Sequence, residues 1–167
     1  NVVITSAHAD ISGITDCGAV YLFDGSTGAV ISTLTGSSEY DCIGSGGGKA
    51  LACGNFVVSS PLWDLGAIPD AGVQGAVSAE NSLTGSSTGD RAGFSGVTAL
   101  TCGHYVVCSA AWDDGPVRDA GAATWGDGST GVHGAISTAN SLTGFRANDL
   151  VGSGGAIALA NGHYVVC

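Results

Sequence analysis

The side chains able to do chemistry in this 167-residue chain are six cysteines, four histidines, three tryptophans and 14 carboxylates. The cysteines are Cys17, Cys42, Cys53, Cys102, Cys108 and Cys167. They form no paired C-x-x-C set and have no histidine at zinc-finger spacing, which favours disulfides over a metal cluster, and with them an oxidising, extracellular setting. Cys17 and Cys42 stand where later units have Ala71 and Ala120, and Arg91 and Leu150, so they read as a pair introduced together. Cys102 and Cys108 flank a Gly-His turn and would form a local cross-strand bridge if their side chains meet. Cys53 and Cys167 are left over, and a bond from Cys167 to a neighbouring subunit would link copies covalently. For any of the six, a buried free thiol is the alternative.

His104 and His163 occupy equivalent places beside a turn, and equivalent places in adjacent units lie too far apart to share one ion at about 2 Å. No metal or cofactor is expected. Asp41, Asp90 and Asp149 recur evenly, which suits carboxylates accepting backbone N–H groups in turns rather than two carboxylates with separated environments. No G-x-S-x-G elbow is present, and in the Gly-rich run 44–48 the next residues are Lys49 and Ala50, not the ending of a phosphate loop. The chain is therefore read as a non-enzyme with no catalytic residue. Trp63 and Trp112 are equivalent, as are Phe56, Tyr105 and Tyr164, and repeated aromatics of this kind pack between sheets. Trp125 lies in a hairpin that the second unit lacks, which makes it the most exposed tryptophan and the aromatic able to stack on a sugar. No Asn-x-Ser/Thr sequon occurs, while the many Ser and Thr residues leave O-linked sugar open.

The elements that carry these residues are repeated. Val2-Val3, Val57-Val58, Val106-Val107 and Val165-Val166 mark four copies of one strand at intervals of 55, 49 and 59 residues. Leu-Thr-Gly at 34–36, 83–85 and 142–144 and Leu51, Leu100 and Leu159 keep the same order. Each unit holds about four short strands bounded by Gly, Asp, Ser or Asn, with DGSTG at 24–28 and 127–131 as hairpin turns. The second unit is shorter between Ala71 and Leu83 and has lost that hairpin. These observations predict an all-β repeat architecture of three propeller-blade-like antiparallel units plus one extra terminal strand. The units span 1–55, 56–104 and 105–163, with 164–167 opening the next. Three blades do not close a ring in the usual way, so the array is open or completed by neighbouring copies. Two forms are expected equally: a slice of a longer covalent array, or a subunit whose terminal strand completes the first blade of the next in a homo-oligomer or filament.

A formal charge of −10 with only four basic residues excludes a nucleic-acid partner, and no apolar run is long enough for a membrane span. The chain opens without Met, as a processed product or an excised part of something longer would.

The stretch Gly18-Ala-Val-Tyr-Leu-Phe-Asp-Gly-Ser-Thr-Gly28, followed by Leu-Thr-Gly36 and Asp41-x-x-Gly44, resembles the integrin-type FG-GAP propeller repeat. Gly-His-Tyr-Val-Val at 103–107 with Trp112-Asp113 is similar to tandem repeats of large secreted bacterial surface proteins of the adhesin or haemagglutinin kind. The resemblance implies a propeller-like fold on a cell-surface protein. It does not carry over the calcium loop, because the corresponding turns, 52–55, 101–104 and 160–163, hold no cluster of oxygen ligands. The function expected is structural, in an extracellular filament, sheath or adhesin stalk; the alternative is a carbohydrate- or protein-binding adhesion module.

Overall fold

Short runs of Val, Ile, Tyr, Phe and Thr ended by Gly, Asp or Asn favour brief extended segments over helices. The computed structural model describes residues 1–62, 75–76, 80 and 82–167. Among them no helix occurs, and none is long and apolar enough to cross a membrane. The first unit contributes β1 (Val2–Ser6), β2 (Ala19–Phe23) and β3 (Val30–Thr35). Next come β4 (Gly47–Ala50), β5 (Phe56–Ser59), β6 (Gly75–Ala76) and β7 (Leu83–Thr84). The third group is β8 (Val97–Ala99), β9 (Tyr105–Ser109), β10 (Ala122–Gly126), β11 (Gly134–Ala135) and β12 (Ser141–Thr143), and β13 (Ala156–Ala158) and β14 (Tyr164–Val166) follow. Trp63 and most of the shortened stretch from Ala71 to Leu83 lie outside the described residues.

The strands form several separate sheets and no closed barrel among the described residues. Two have four strands, in the orders β1-β2-β3-β6 and β12-β10-β9-β8, and β4-β5, β7-β11 and β13-β14 pair as twos. Chain neighbours pair antiparallel, as β9 does with β8 and with β10. Two parallel pairings tie one unit to the next: Leu34-Thr35 beside Gly75-Ala76, and Leu83-Thr84 beside Gly134-Ala135.

Hydrophobic burial falls between the sheets. Leu51 and Val57 pack on Tyr105, Val107, Val97 and Ala99. One repeat later Leu100, Val106 and Cys108 pack on Ala156, Ala158, Tyr164 and Val166 in the same way. Each Leu or Val fully withdrawn from water in such a contact contributes about 1.5–3 kcal/mol. Trp112 is 2% exposed and packs with Ile136 against Leu83 and Ala92 of the preceding unit. Of the repeated aromatics, Trp112, Tyr105 and Tyr164 thus serve packing.

The register of the first strand differs from the sequence expectation. The Ser59 side chain sits against Gly93 and that of Cys108 against Gly152, and the residue in this position on β1 is Thr5, against Gly44. Val3-Ile4, not Val2-Val3, is therefore the counterpart of Val57-Val58. On a strand a slip of one residue turns every side chain to the opposite face, and the valines of β1 misled because Ile4 extends the apolar run Val2-Val3 by one residue.

Turns close the units with one device. Asp41 accepts the N–H groups of Ser37 and Ser38 at 2.8 Å each, Asp90 those of Ser86 and Ser87 at 2.6 and 2.8 Å, and Asp149 those of Phe145 and Arg146 at 3.0 Å each. Gly18 and Gly121, with φ of 78° and 74°, each make a parallel bridge, to Ile43 and Val151, so close that a Cβ would strike the partner's backbone nitrogen. Gly121→Ala should therefore lower unfolding free energy by about 2–3 kcal/mol. Gly13→Ala, at φ 85° in open space, should cost about 1 kcal/mol. Equal costs in urea denaturation would refute the close approach.

Candidate functional site

The DGSTG turns are built by one carboxylate each. Asp127 Oδ1 accepts the N–H of Ser129 at 2.7 Å and of Thr130 at 3.1 Å, and its carbonyl accepts Gly131 N–H at 2.8 Å. Asp24 does the same for Ser26 and Thr27, at 2.7 and 2.9 Å. These amides hold both carboxyl groups below the ordinary aspartate range, led by Ser129 for Asp127 and by Thr27 for Asp24.

Among the described residues, the turn of the third unit gathers further side chains. Gly128 N–H donates to His104 Nδ1 at 3.2 Å, and Gly128 C=O accepts from Asn55 Nδ2 at 2.6 Å. Val132 N–H donates to the Tyr105 hydroxyl oxygen at 3.1 Å, and burial pushes the Tyr105 phenol up, so it stays neutral. The His104 ring lies 4.9 Å from Trp125 at a 52° tilt, and its Nδ1 is 3.7 Å from Asp127 Oδ2. Because Nδ1 accepts from Gly128, the proton of neutral His104 is assigned to Nε2.

Trp125 is 43% exposed, as the sequence leads one to expect. With the His104 imidazole 4.9 Å away, it presents an apolar ring beside a polar one, the chemistry of sugar or side-chain binding. Among the described residues no three His, Cys, Asp or Glu side chains cluster as metal ligands. A groove of about 640 Å³ runs along the other side of the turn, lined by Asn55, Phe56, Tyr105, Asp127 and Val132. Trp125 is not part of its lining, so ring and groove are separate surfaces. Leu62 and Ser82, which border the undescribed stretch, also lie on its wall.

The bond from Asn55 to Gly128 is not legible in the sequence, because the two residues are 73 positions apart. The available signal was register: Asn55, His104 and His163 all follow the same turn.

The six cysteines are unbonded in this structure: Cys17, Cys42 and Cys108 are buried, and Cys53, Cys102 and Cys167 exposed. The local bridge between Cys102 and Cys108 is corrected. Cys102 lies in the turn between β8 and β9, whereas Cys108 is at the far end of β9, where its N–H bonds Gly96. The four extended steps from His104 to Cys108 alone span roughly 13 Å, against the roughly 4.4–6.8 Å between Cα atoms that a disulfide requires. Cys17 and Cys42 lie on two segments joined at Gly18 and Ile43, and Cys17 Sγ donates to the Ala9 carbonyl at 3.4 Å. Cys53 Sγ meets the carbonyls of Gly103 and Gly128, each at 3.4 Å, tying its turn to the next unit. Burial pushes the Cys42 and Cys108 thiols up, aided at Cys42 by the charges of Asp16 and Asp41.

A family described as a repeat of unknown function (DUF5650) matches residues 50–94 and 99–153. The chain belongs to this repeat family. The two matches reach from Ala50 at the end of β4 to Phe94, and from Ala99 at the end of β8 to Ser153, so each takes in the valine strand and the Leu-Thr-Gly turn of one unit of the DUF5650 repeat. No curated protein and no solved structure matches the chain.

Two outcomes are expected. A thiol reagent should modify Cys53, Cys102 and Cys167 at least about tenfold faster than Cys17, Cys42 and Cys108; uniform labelling of the native protein would contradict the burial pattern. Asp24 and Asp127 have lowered folded values, so the support they give their turns is fully present above the unfolded value of about 3.9 and is lost as pH falls through the folded value. The amide resonances of Ser26, Thr27, Ser129 and Thr130 should titrate below about pH 3.9 in NMR spectra. Midpoints above that value would exclude the turn bonds as described.

Proposed function

We propose that the chain is a structural segment of an extracellular filament, sheath or adhesin stalk, in which propeller-blade-like units stack face to face in an open array and no chemistry is catalysed. The observation that carries this reading is the recurrence of one sheet-to-sheet contact, Leu51 and Val57 on Tyr105 and Val107, then Leu100 and Val106 on Tyr164 and Val166. Units that bury their faces against successive neighbours favour elongated assemblies. Twenty-nine glycines and 11% charged residues support close sheet packing and resistance to proteases. The likeness of Gly18–Gly28 to integrin-type repeats supports the blade reading, and a surface location follows from it. Growth proceeds either along one covalent array or head to tail through terminal strands, and disulfides between copies at exposed Cys167 would stiffen it.

The second reading is an adhesion module that binds carbohydrate or protein at Trp125, favoured by that ring's exposure beside His104. Trp125→Ala should leave the β-sheet circular dichroism unchanged. A specific glycan-array signal of the native protein that disappears in this variant would replace the structural reading by the adhesive one. Val106→Asp should lower stability by at least about 3 kcal/mol, because it buries an unpaired charge between two sheets. A variant as stable as the native protein in chemical denaturation would defeat the stacking on which the proposal stands.

A further inference from the structure

The first and third units each place a strand in the middle of a sheet: β2 lies between β1 and β3, and β10 between β9 and β12. Each follows a loop glycine, Gly18 or Gly121, and runs into the DGSTG turn, over residues 19–28 and 122–131. The second unit lacks this stretch in its sequence. Asp70-Ala71-Gly72 matches Asp119-Ala120-Gly121, but the next residues, Val73-Gln74-Gly75-Ala76, match Val132-His133-Gly134-Ala135. Residues 63–72, which remain before the gap, match 112–121, and these form no ladder with β9.

The sheets show the same gap. β5 and β7 are the counterparts of β9 and β12, yet among the described residues they share no sheet: β5 pairs with β4, and β7 with β11. Both line the groove of about 640 Å³, together with Tyr105 and Val107 of the following sheet. β5 also turns main-chain groups away from β4. The carbonyls of Asn55 and Ser59 accept the N–H groups of Leu51 and Gly46, at 2.8 and 2.9 Å, so the alternation of an antiparallel strand directs the N–H and C=O of Phe56 and Val58 to the other edge. Their counterparts Tyr105 and Val107 pair there with Gly126 and Thr124 of β10.

We propose that this groove is a docking site for an extended segment of another polypeptide, which enters antiparallel to β5 as the central strand of the second unit. The occupant's chemistry is set by β10, the strand that fills the same place one unit later. Ala122, Ala123, Thr124 and Gly126 are buried there and Trp125 is exposed. The segment therefore carries Gly, Ala, Ser or Thr where it is covered and a large side chain only at the open position. An intact second copy does not supply its β10, because that strand is already flanked on both edges. Main-chain bonds to β5 supply the affinity, and the small-residue pattern supplies selectivity. The inference goes beyond the stacking proposed above, since it needs an open strand edge within the array and not the array's continuation.

The test is titration of the 167-residue chain with a synthetic peptide of its residues 121–131, followed by amide NMR and hydrogen exchange. Without peptide, the amides of Phe56 and Val58 should exchange at least about tenfold faster than those of Tyr105 and Val107. Saturable binding is expected to slow them at least about tenfold. Two altered peptides probe the two claims. N-methylation at Thr124 removes the N–H that faces this edge, and Ala123→Phe overfills the covered face; each should weaken binding by about tenfold or more. Both changes are in the ligand, so lost binding does not arise from an unfolded protein. No saturable change up to about 1 mM peptide, binding of either altered peptide as tight as the first, or protection at strands other than β5 and β7 would overturn the proposal. Slow exchange of Phe56 and Val58 before peptide is added would overturn it as well, in favour of cover by the chain itself where it is independent of protein concentration and by a second copy where it grows with concentration.

Discussion

The contact of a leucine and a valine on one sheet with the aromatic and aliphatic back of the next sets the conditions for everything else in this chain. Sheets of two to four short strands are too small to hold themselves together in water, and a single hairpin is marginal at best. Stability therefore comes from pressing β9 between its neighbours, with Leu51 and Val57 on one side and Tyr164 and Val166 on the other. Gly18 and Gly121 follow from this constraint, because only a residue without a side chain lets the loop of one unit reach the backbone of its own turn segment at such range. The aspartate turns reverse the chain between these sheets, and in each one carboxylate takes two backbone N–H groups.

Much of this was legible in the amino-acid order. Valine pairs recurring about every fifty residues announce repeated strands, and the spacing of Asp41, Asp90 and Asp149 announces repeated turns. The all-β class and the tandem repeat are both visible there. What the order hid has physical causes. The parallel pairing of Gly75-Ala76 and Gly134-Ala135 with Leu-Thr segments involves residues too small and too few to give any alternating pattern. The phase of β1 is ambiguous because Val2, Val3 and Ile4 are all apolar, and only their opposite neighbours decide which faces inward. The reach between Cys102 and Cys108 cannot be judged until the turn between β8 and β9 is fixed.

The cluster at the third DGSTG turn illustrates how a repeat acquires local character. Asp24 and Asp127 build the same turn with the same bonds, yet only Asp127 has an imidazole and an indole beside it. Trp125 stands on β10 opposite Val106 and is exposed while its chain neighbours Thr124 and Gly126 are buried. A ring placed this way is available without weakening the core, which is where repeat proteins can vary their surfaces at least cost to folding.

The parallel Leu-Thr to Gly-Ala pairings have a consequence for how such a chain comes apart. β4 lies against β8 and β8 against β13, so each sheet draws on the one before and the one after. Unfolding in such a row is free to begin at an outer sheet and run inward one step at a time, as a stack of coins loosens from its top, and gain or loss of a whole step would change length while leaving the pattern intact.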